Sequence, residues 1–248
     1  MTRTVLSIIT VSAFEDKRLI KTMESLVKLP TEIEHVLIVP KSDSKAIKIW
    51  KEYKNLTNSK IFHDRALGIY PAMDLGAKKS EGKFIAFLNA GDSVCKSFSP
   101  DSVIQLLVMS KKDAYICQTE FEWRGPITLS KQNFEGFLTQ KKENYVSHQS
   151  LILSKQAYLE YAAFDLKFRI AADFKQLLII WRHGNFEFTN LVFARVEYPH
   201  QSAILNRQGR VETLLVLLTK LPIHLRFTTI IRFISNQFNS IRKWRINT

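Results

Sequence analysis

Five short apolar runs, most of them followed by a stretch with helical period, constrain this chain more than any other feature. Val5–Val11 is apolar and β-branched. Leu19, Met23 and Leu26 then recur on one helical face between Asp16 and Lys28. Val36–Val39 is followed by a helix pattern from Asp43 to Tyr53, opening on an Asp or Ser cap. Ser59–Phe62 is a third, shorter run. Pro71 opens the next helix, which ends near Ser80 before Gly82. Proline suits a first turn because its missing N–H has no helical partner there. Phe84–Leu88 is the fourth strand, Ser99-Pro100-Asp101 starts another helix, and Ala114–Thr119 is the fifth strand.

Such alternation with short connections predicts an α/β chain with a parallel, doubly wound sheet. Sheets of that kind bind ligands outside the carboxyl ends of their strands. The ends to inspect are Thr10-Val11-Ser12, Val39-Pro40-Lys41, His63-Asp64-Arg65 and Asn89-Ala90-Gly91-Asp92. Further on the pattern changes. Glu120–Thr128 and Tyr145–Leu153 read as strands, Ser154–Tyr161 and Ala171–His183 as helices, and Phe186–Val196 as another strand. This predicts a mixed-sheet extension that covers the ligand face.

Composition narrows the function classes. A chain of 248 residues that is 46% hydrophobic can bury a real core, and 8 glycines and 7 prolines are too few for a disordered chain. Two cysteines, Cys95 and Cys117, make no disulfide framework and no CxxC zinc pattern, so a reducing, cytoplasmic compartment is expected. The first apolar run is too short to span a membrane, is followed by Glu15 and Asp16, and lacks a cleavage site; it reads as a strand and not a signal peptide. The sequon Asn55-Leu56-Thr57 then has no role.

The net charge of +13 calls for an anionic partner or surface. Its location points to which. After Tyr198 the chain is basic, with Arg207, Arg210, Lys220, Arg226, Arg232, Arg242, Lys243 and Arg245 opposed only by Glu212. Leu, Ile and Phe lie between them, and Pro222 should divide the segment into two helices. A basic amphipathic tail over 201–248 suits the membrane interface better than a span. No RNP, KH or zinc-finger pattern supports nucleic-acid binding.

"GIYPAMDLGAKKSEGKFIAFLNAGD", Gly68 to Asp92, resembles a stretch of the family 2 glycosyltransferases, inverting enzymes with the GT-A fold. The resemblance extends back to "LSIITVSAFEDKRLIKTMESL" and forward to "SHQSLILSKQAY" and "FDLKFRIAADFKQLLIIWRHG". The capsule and colanic-acid members, the WcaE-like group, are most similar. The likeness implies a GT-A domain over 1–200, with a nucleotide-sugar half (1–119) and an acceptor half (120–200).

It also implies roles. Asp92 matches a metal-binding acid of a DxD-like motif, with Gly91 standing where many members carry another acid. The metal would be Mg2+ or Mn2+, which neutralises a diphosphate leaving group. Asp173 in "RIAADF" matches the general base that takes the acceptor's proton. Asp165 in "FDLKF" is the competing carboxylate. His148 and Gln149 fall near the acceptor or diphosphate. Thr10, Val11, Ser12, Asp64, Arg65, Gly68, Asn89, Ala90 and Gly91 would bind the donor. The implied partners are a nucleotide sugar, UDP-sugar first, and a lipid-linked or saccharide acceptor at the inner membrane face. The usual base-contacting "DGGSxDGT" is "PKSDSKA" here, from Pro40 to Ala46, and the late "GG(I/V)S" is "YPHQSA", from Tyr198 to Ala203. A degenerate, non-catalytic binder of nucleotide sugar or glycan is the alternative.

Overall fold

The structure is a computed structural model that describes residues 4–27, 29–55, 58–122, 125–127, 130–139, 146–197 and 207–246. Leu56 and Thr57 of the sequon, and Tyr198–Ala203, lie outside them.

The predicted alternation is present as β1 (Leu6–Val11), α1 (Asp16–Ser25), β2 (Ile33–Pro40), α2 (Ser44–Tyr53), β3 (Ser59–Asp64), α3 (Ile69–Lys79) and β4 (Phe84–Phe87). All four strands pair in parallel, in the order β3-β2-β1-β4. β2 is buried along its whole length, as a strand covered on both faces must be. Alternate side chains sort to opposite sides. Val36 and Ile38 pack with Ile9 and with Met73 and Ala77 of α3. Leu37 and Val39 pack with Leu19 and Met23 of α1 and Ala46 and Ile49 of α2. α2 opens as predicted, on Asp43, whose Oδ1 accepts the Ala46 N–H at 3.0 Å. α3 begins two residues before Pro71. Gly68, at φ +124°, makes the entry turn there.

Beyond β4 lie the short β5 (Ser93–Val94), α4 (Pro100–Val108) capped by Ser99, β6 (Ala114–Phe121), β7 (Gly125–Ile127) and α5 (Lys131–Leu138). Next come β8 (Leu151–Ser154), α6 (Lys155–Ala157) running into a π turn over Tyr158–Ala162, α7 (Ala172–His183) and β9 (Phe186–Val196). The sheet continues β4-β8-β6-β9-β5, with β7 on β6. β8 is antiparallel to both β4 and β6, whereas β9 is parallel to β6. The sheet is therefore parallel at one end and mixed at the other.

Two segments differ from the sequence reading. Of the strand expected over Tyr145–Leu153, Tyr145 lies outside the described residues, His148–Ser150 form a 3-10 turn, and β8 starts only at Leu151. Ser147 causes this by capping the turn, its Oγ accepting the Gln149 N–H at 3.3 Å. In place of the one strand expected over Glu120–Thr128, the end of β6 and β7 pair antiparallel, while Trp123, Arg124 and Thr128 lie outside the described residues.

The basic segment forms α8 (Arg207–Lys220) and α9 (Ile223–Ile246), broken at Pro222 as expected. Val216, Leu217, Leu221 and Phe233 join the main core cluster alongside Leu177 and Leu178 of α7. No helix among the described residues is long and apolar enough to cross a membrane.

Gly76 tests how closely α3 lies on the sheet. A Cβ there would meet Ile9 Cγ2 at 2.4 Å and Ile38 Cγ1 at 3.2 Å. Gly76→Ala is expected to destabilise the fold by about 1–3 kcal/mol through overpacking, despite alanine's higher helix propensity. Equilibrium urea unfolding measures it.

Candidate active site

The strand order explains where a site belongs. β2 and β3 lie on one side of β1, and β4 on the other, so the winding reverses between β1 and β4. That reversal opens a crevice at the carboxyl ends of the two strands. A cleft of about 260 Å³ lies to one side of that reversal, at the carboxyl ends of β1, β2 and β3 and at the start of α3, with no lining residue from β4. Val11, Ser12, Asp64 and Gly68, four of the residues expected to bind a donor, line it. Pro40 and Ile69 line it too, along with Ala13, Glu15, Ala66 and Ala72, which sequence reasoning did not select. Thr10 and Arg65 do not line it: Thr10 is fully buried and Arg65 is exposed. Asp43 shapes one lip by accepting the Phe14 N–H at 2.7 Å, while Phe14 sits at φ +58°.

Four buried polar atoms without a hydrogen-bond partner gather at these strand ends: Thr10 Oγ1, Ser12 Oγ, Asp64 Oδ1 and Asn89 Oδ1. Buried polar groups are nearly always paired, and Ser12 and Asp64, the two of these residues that line the cleft, are left with bonds for a ligand or water to make.

Asp92 lies just past β4 and is only 3% exposed. Its Oδ2 accepts from Gln149 Nε2 at 2.5 Å, and its Oδ1 accepts from the Glu197 N–H at 3.0 Å. Its carbonyl accepts from Thr22 Oγ1 at 2.6 Å. Burial pushes the carboxyl up to about 6, against the opposing pull of the Glu197 N–H and Gln149. Gly91 beside it has φ +101°. A Cβ at 91 would lie 2.5 Å from both Arg18 Nε and Glu197 Oε2. Those two groups form an ion pair at 2.7 Å, so the space a second motif acid would need is taken.

No group of three His, Cys, Asp or Glu side chains suited to a metal exists among the described residues. An ion such as Mg2+ that keeps waters and takes substrate phosphates needs only one or two protein carboxylates. Asp92 meets that need in number, since each carboxylate oxygen has a second lone pair beyond its present bond.

A second cluster surrounds Asp173, in the first turn of α7. The Tyr70 hydroxyl has two acceptors within reach, the Ile170 carbonyl at 2.6 Å and Asp173 Oδ1 at 3.0 Å, and its one proton is shared between them. Burial and the nearby Asp173 carboxylate hold the Tyr70 hydroxyl protonated, well above its ordinary range. His148 Nδ1 lies 3.5 Å from Asp173 Oδ2, and its Nε2 lies 3.3 Å from Asn89 Nδ2. With the Asn89 amide donating to Nε2, Nδ1 is the ring nitrogen that bears a proton, and it faces Asp173. Asn89, His148 and Asp173 therefore form one line from the end of β4 to α7. Asp165 is engaged elsewhere, by the Lys175 ammonium and the Lys167 N–H.

Glu212 was seen in the sequence only as a lone acid in the tail. On α8 it is 7% exposed and accepts the N–H groups of Arg169, Ile170 and Ala171 at 3.1, 2.8 and 3.0 Å. These are the residues leading into α7, so Glu212 holds the loop that presents Asp173. A carboxylate near a helix N-terminus also matches the helix dipole. Its one sequence signal was isolation among eight basic residues.

No protein-family model and no curated protein matches this chain. Solved structures do. Residues 1–349 of S. aureus TarS in complex with UDP-GlcNAc superpose with a TM-score of 0.71 at 15% identity, covering 95% of this chain and 73% of that one. The chain has the GT-A fold. The mannosyltransferase PcManGT from Pyrobaculum calidifontis, in complex with GDP-Man and Mn2+, gives 0.62 at 12% identity over 93% and 73% of the two chains. GalNAc-T7 with UDP, GalNAc and Mn2+ gives 0.62 at 16% identity over 86% and 47%. In GT-A terms, β1–β4 form the end of the sheet that carries the cleft, and β8, β6 and β9 the mixed extension.

The raised Asp92 carboxyl has a consequence for stability. Between about pH 4 and pH 6 the native state holds a proton that the unfolded chain releases. That stability is complete below the unfolded carboxyl value and lost as pH rises through about 6. The loss is about 3 kcal/mol at neutrality. Asp92→Asn is therefore expected to unfold at higher temperature than wild type near pH 7.5. The gap should be about half as large at pH 5 and close only below about pH 4, and calorimetry across that range checks it.

Proposed function

We propose that this chain is an inverting glycosyltransferase of the family 2, WcaE-like kind. It moves a sugar from a nucleotide-diphosphate sugar, a UDP-sugar first, to a lipid-linked or saccharide acceptor in bacterial surface polysaccharide synthesis, capsule or O-antigen. The observation that carries this reading is the pair of sites on α3. Gly68, Ile69 and Ala72 line the cleft at the strand ends, and Tyr70 between them holds Asp173. One short helix thus joins a cleft sized for part of a nucleotide to a carboxylate placed for base chemistry. The complexes of the similar folds with UDP-GlcNAc and GDP-Man support a nucleotide-sugar donor.

In this reading Asp173 accepts the proton of the acceptor hydroxyl as that oxygen attacks the anomeric carbon. The bond from that carbon to the diphosphate oxygen breaks, and its electron pair leaves with the nucleoside diphosphate. A single displacement from the opposite face inverts the centre. His148 and Tyr70 keep the Asp173 carboxylate in place, and Asn89 fixes the His148 ring. Ser12 and Asp64 take polar edges of the nucleoside, and the loop from Asn89 to Asp92 meets the diphosphate. A bound Mg2+ or Mn2+ would neutralise the leaving charge, with Asp92 as its protein ligand. The enzyme would work peripherally at the cytoplasmic face of the membrane, where a lipid-linked acceptor is exposed. The division into a donor half over 1–119, an acceptor half over 120–200 and a basic tail over 201–248 is part of the same proposal.

The inward turn of Asp92 and the filled space at Gly91 favour a second reading, a nucleotide-sugar or glycan binder without turnover. Two measurements decide. UDP- and GDP-sugars with Mn2+ should raise the unfolding midpoint, a saturating donor adding about 2–3 kcal/mol by mass action. No shift with any donor would end the glycosyltransferase reading. Asp173→Asn should keep that shift and lose at least about 100-fold in kcat. A wild type that binds donor but never turns over, with an Asp173→Asn variant that behaves alike, would establish the binder instead.

A further inference from the structure

α8 and α9 each bury one face in the core and leave an apolar stripe in solvent. On α8 the stripe is Val211, Leu215 and Leu218, between 43% and 53% exposed. On α9 it is Ile223, Phe227 and Ile231, with Ile223 at 80% and Phe227 at 76%. The spacings, four then three residues on α8 and four then four on α9, place each set on one side of its helix. Their inward faces are already used: Val216 and Leu217 on α8 and Phe233 on α9 are buried in the main cluster. The exposed stripes are thus a second apolar face that no described residue covers.

Charge identifies the occupant. Arg207, Arg210, Arg226 and Arg232 lie along the same two helices. Glu212, the one acid after residue 200, gives its carboxylate to backbone N–H groups, and among the described residues none of these arginines has a carboxylate partner, Arg226 bonding only the Leu221 and Thr219 carbonyls. A second copy of the chain docking by a two-fold axis would set like charge against like charge. An anionic bilayer takes both features at once: apolar side chains enter the acyl boundary, and arginines meet the headgroups. We propose that the Val211–Leu218 and Ile223–Ile231 stripes are the surface by which this protein docks on an anionic membrane, the helices lying flat in the interface. This specifies the membrane contact of the function proposed above and rests on that reading only for the acceptor. Its effect on the site is direct, because α8 also carries Glu212, which holds the loop before Asp173. Docking by this face would set the distance and tilt of Asp173 relative to a membrane-borne acceptor.

Co-sedimentation of the full chain with phosphatidylcholine vesicles, with and without phosphatidylglycerol, tests it. Wild type should bind the anionic vesicles and not the neutral ones, and high salt should weaken binding. The double variant Ile223→Glu, Phe227→Glu should bind at least about tenfold more weakly, with an unchanged unfolding midpoint, because both positions are exposed. Leu215→Glu, on the other helix, should act in the same direction. Equal binding by wild type and all variants would overturn the proposal, as would no binding or equal binding to neutral vesicles. A wild-type dimer that the variants dissociate would overturn it in favour of a second copy. The donor-induced thermal shift, read on the same samples, reports the nucleotide site separately. A failed membrane face and a failed glycosyltransferase reading therefore give different results.

Discussion

The burial of Asp92 organises the ligand end of the molecule. A carboxylate removed from water is tolerated only where its oxygens find donors. Here those donors come from far along the chain: Gln149 from the turn before β8 and the Glu197 N–H from the end of β9. Thr22 of α1 adds a bond to the Asp92 carbonyl. One side chain thereby joins the loop after β4, the entry to the antiparallel β8, and the far end of the mixed extension. Gln149 brings His148 with it, and His148 faces Asp173. The raised carboxyl is the energetic consequence, as expected where a protein desolvates an acid near a ligand cleft.

The second anchor is the grip on Asp173. Tyr70 reaches it from α3, about a hundred residues earlier, and Glu212 fixes its loop from α8. Neither contact is local. Each depends on helices that are held in place by packing on the sheet. Gly76, on the same helix as Tyr70, lets α3 lie close on Ile9 of the sheet. The basic segment, amphipathic by pattern, is therefore more than a tail. Its inward face joins the core, and its one acid supports the candidate base.

The parallel end of the sheet was legible because its signals are local. β-branched runs, an Asp cap at α2 and the Ser99-Pro100 start of α4 all reappear where their chemistry predicts. The start of β2 was hidden because Glu34 and His35 look like loop residues. Both are buried, since Ser7 Oγ donates to Glu34 at 2.6 Å and Ser59 Oγ lies 3.0 Å from His35 Nδ1. Cross-strand partners of that kind cannot be seen in a one-dimensional pattern. The turn at His148 was missed for the same reason. "VSHQSLIL" alternates well enough for a strand, and only the Ser147 cap and the pull of Asp92 on Gln149 make it turn. α5 was passed over because Lys131–Leu138 offers just two turns of periodicity, too short for a pattern to stand out.

The sequence by itself determined the alternation of strands and helices, the polar strand ends, the carboxylates at 92 and 173, and the break at Pro222. Each follows from residues within a few positions of one another. Tertiary structure alone decided which strands pair in which direction and which polar atoms lack partners. It also decided that an ion pair fills the space beside Gly91, and that Glu212 serves Asp173. Those outcomes depend on which distant side chains share one low-dielectric space. There an unpaired charge is too costly to leave alone, so partners are chosen by proximity in the fold and not by spacing along the chain.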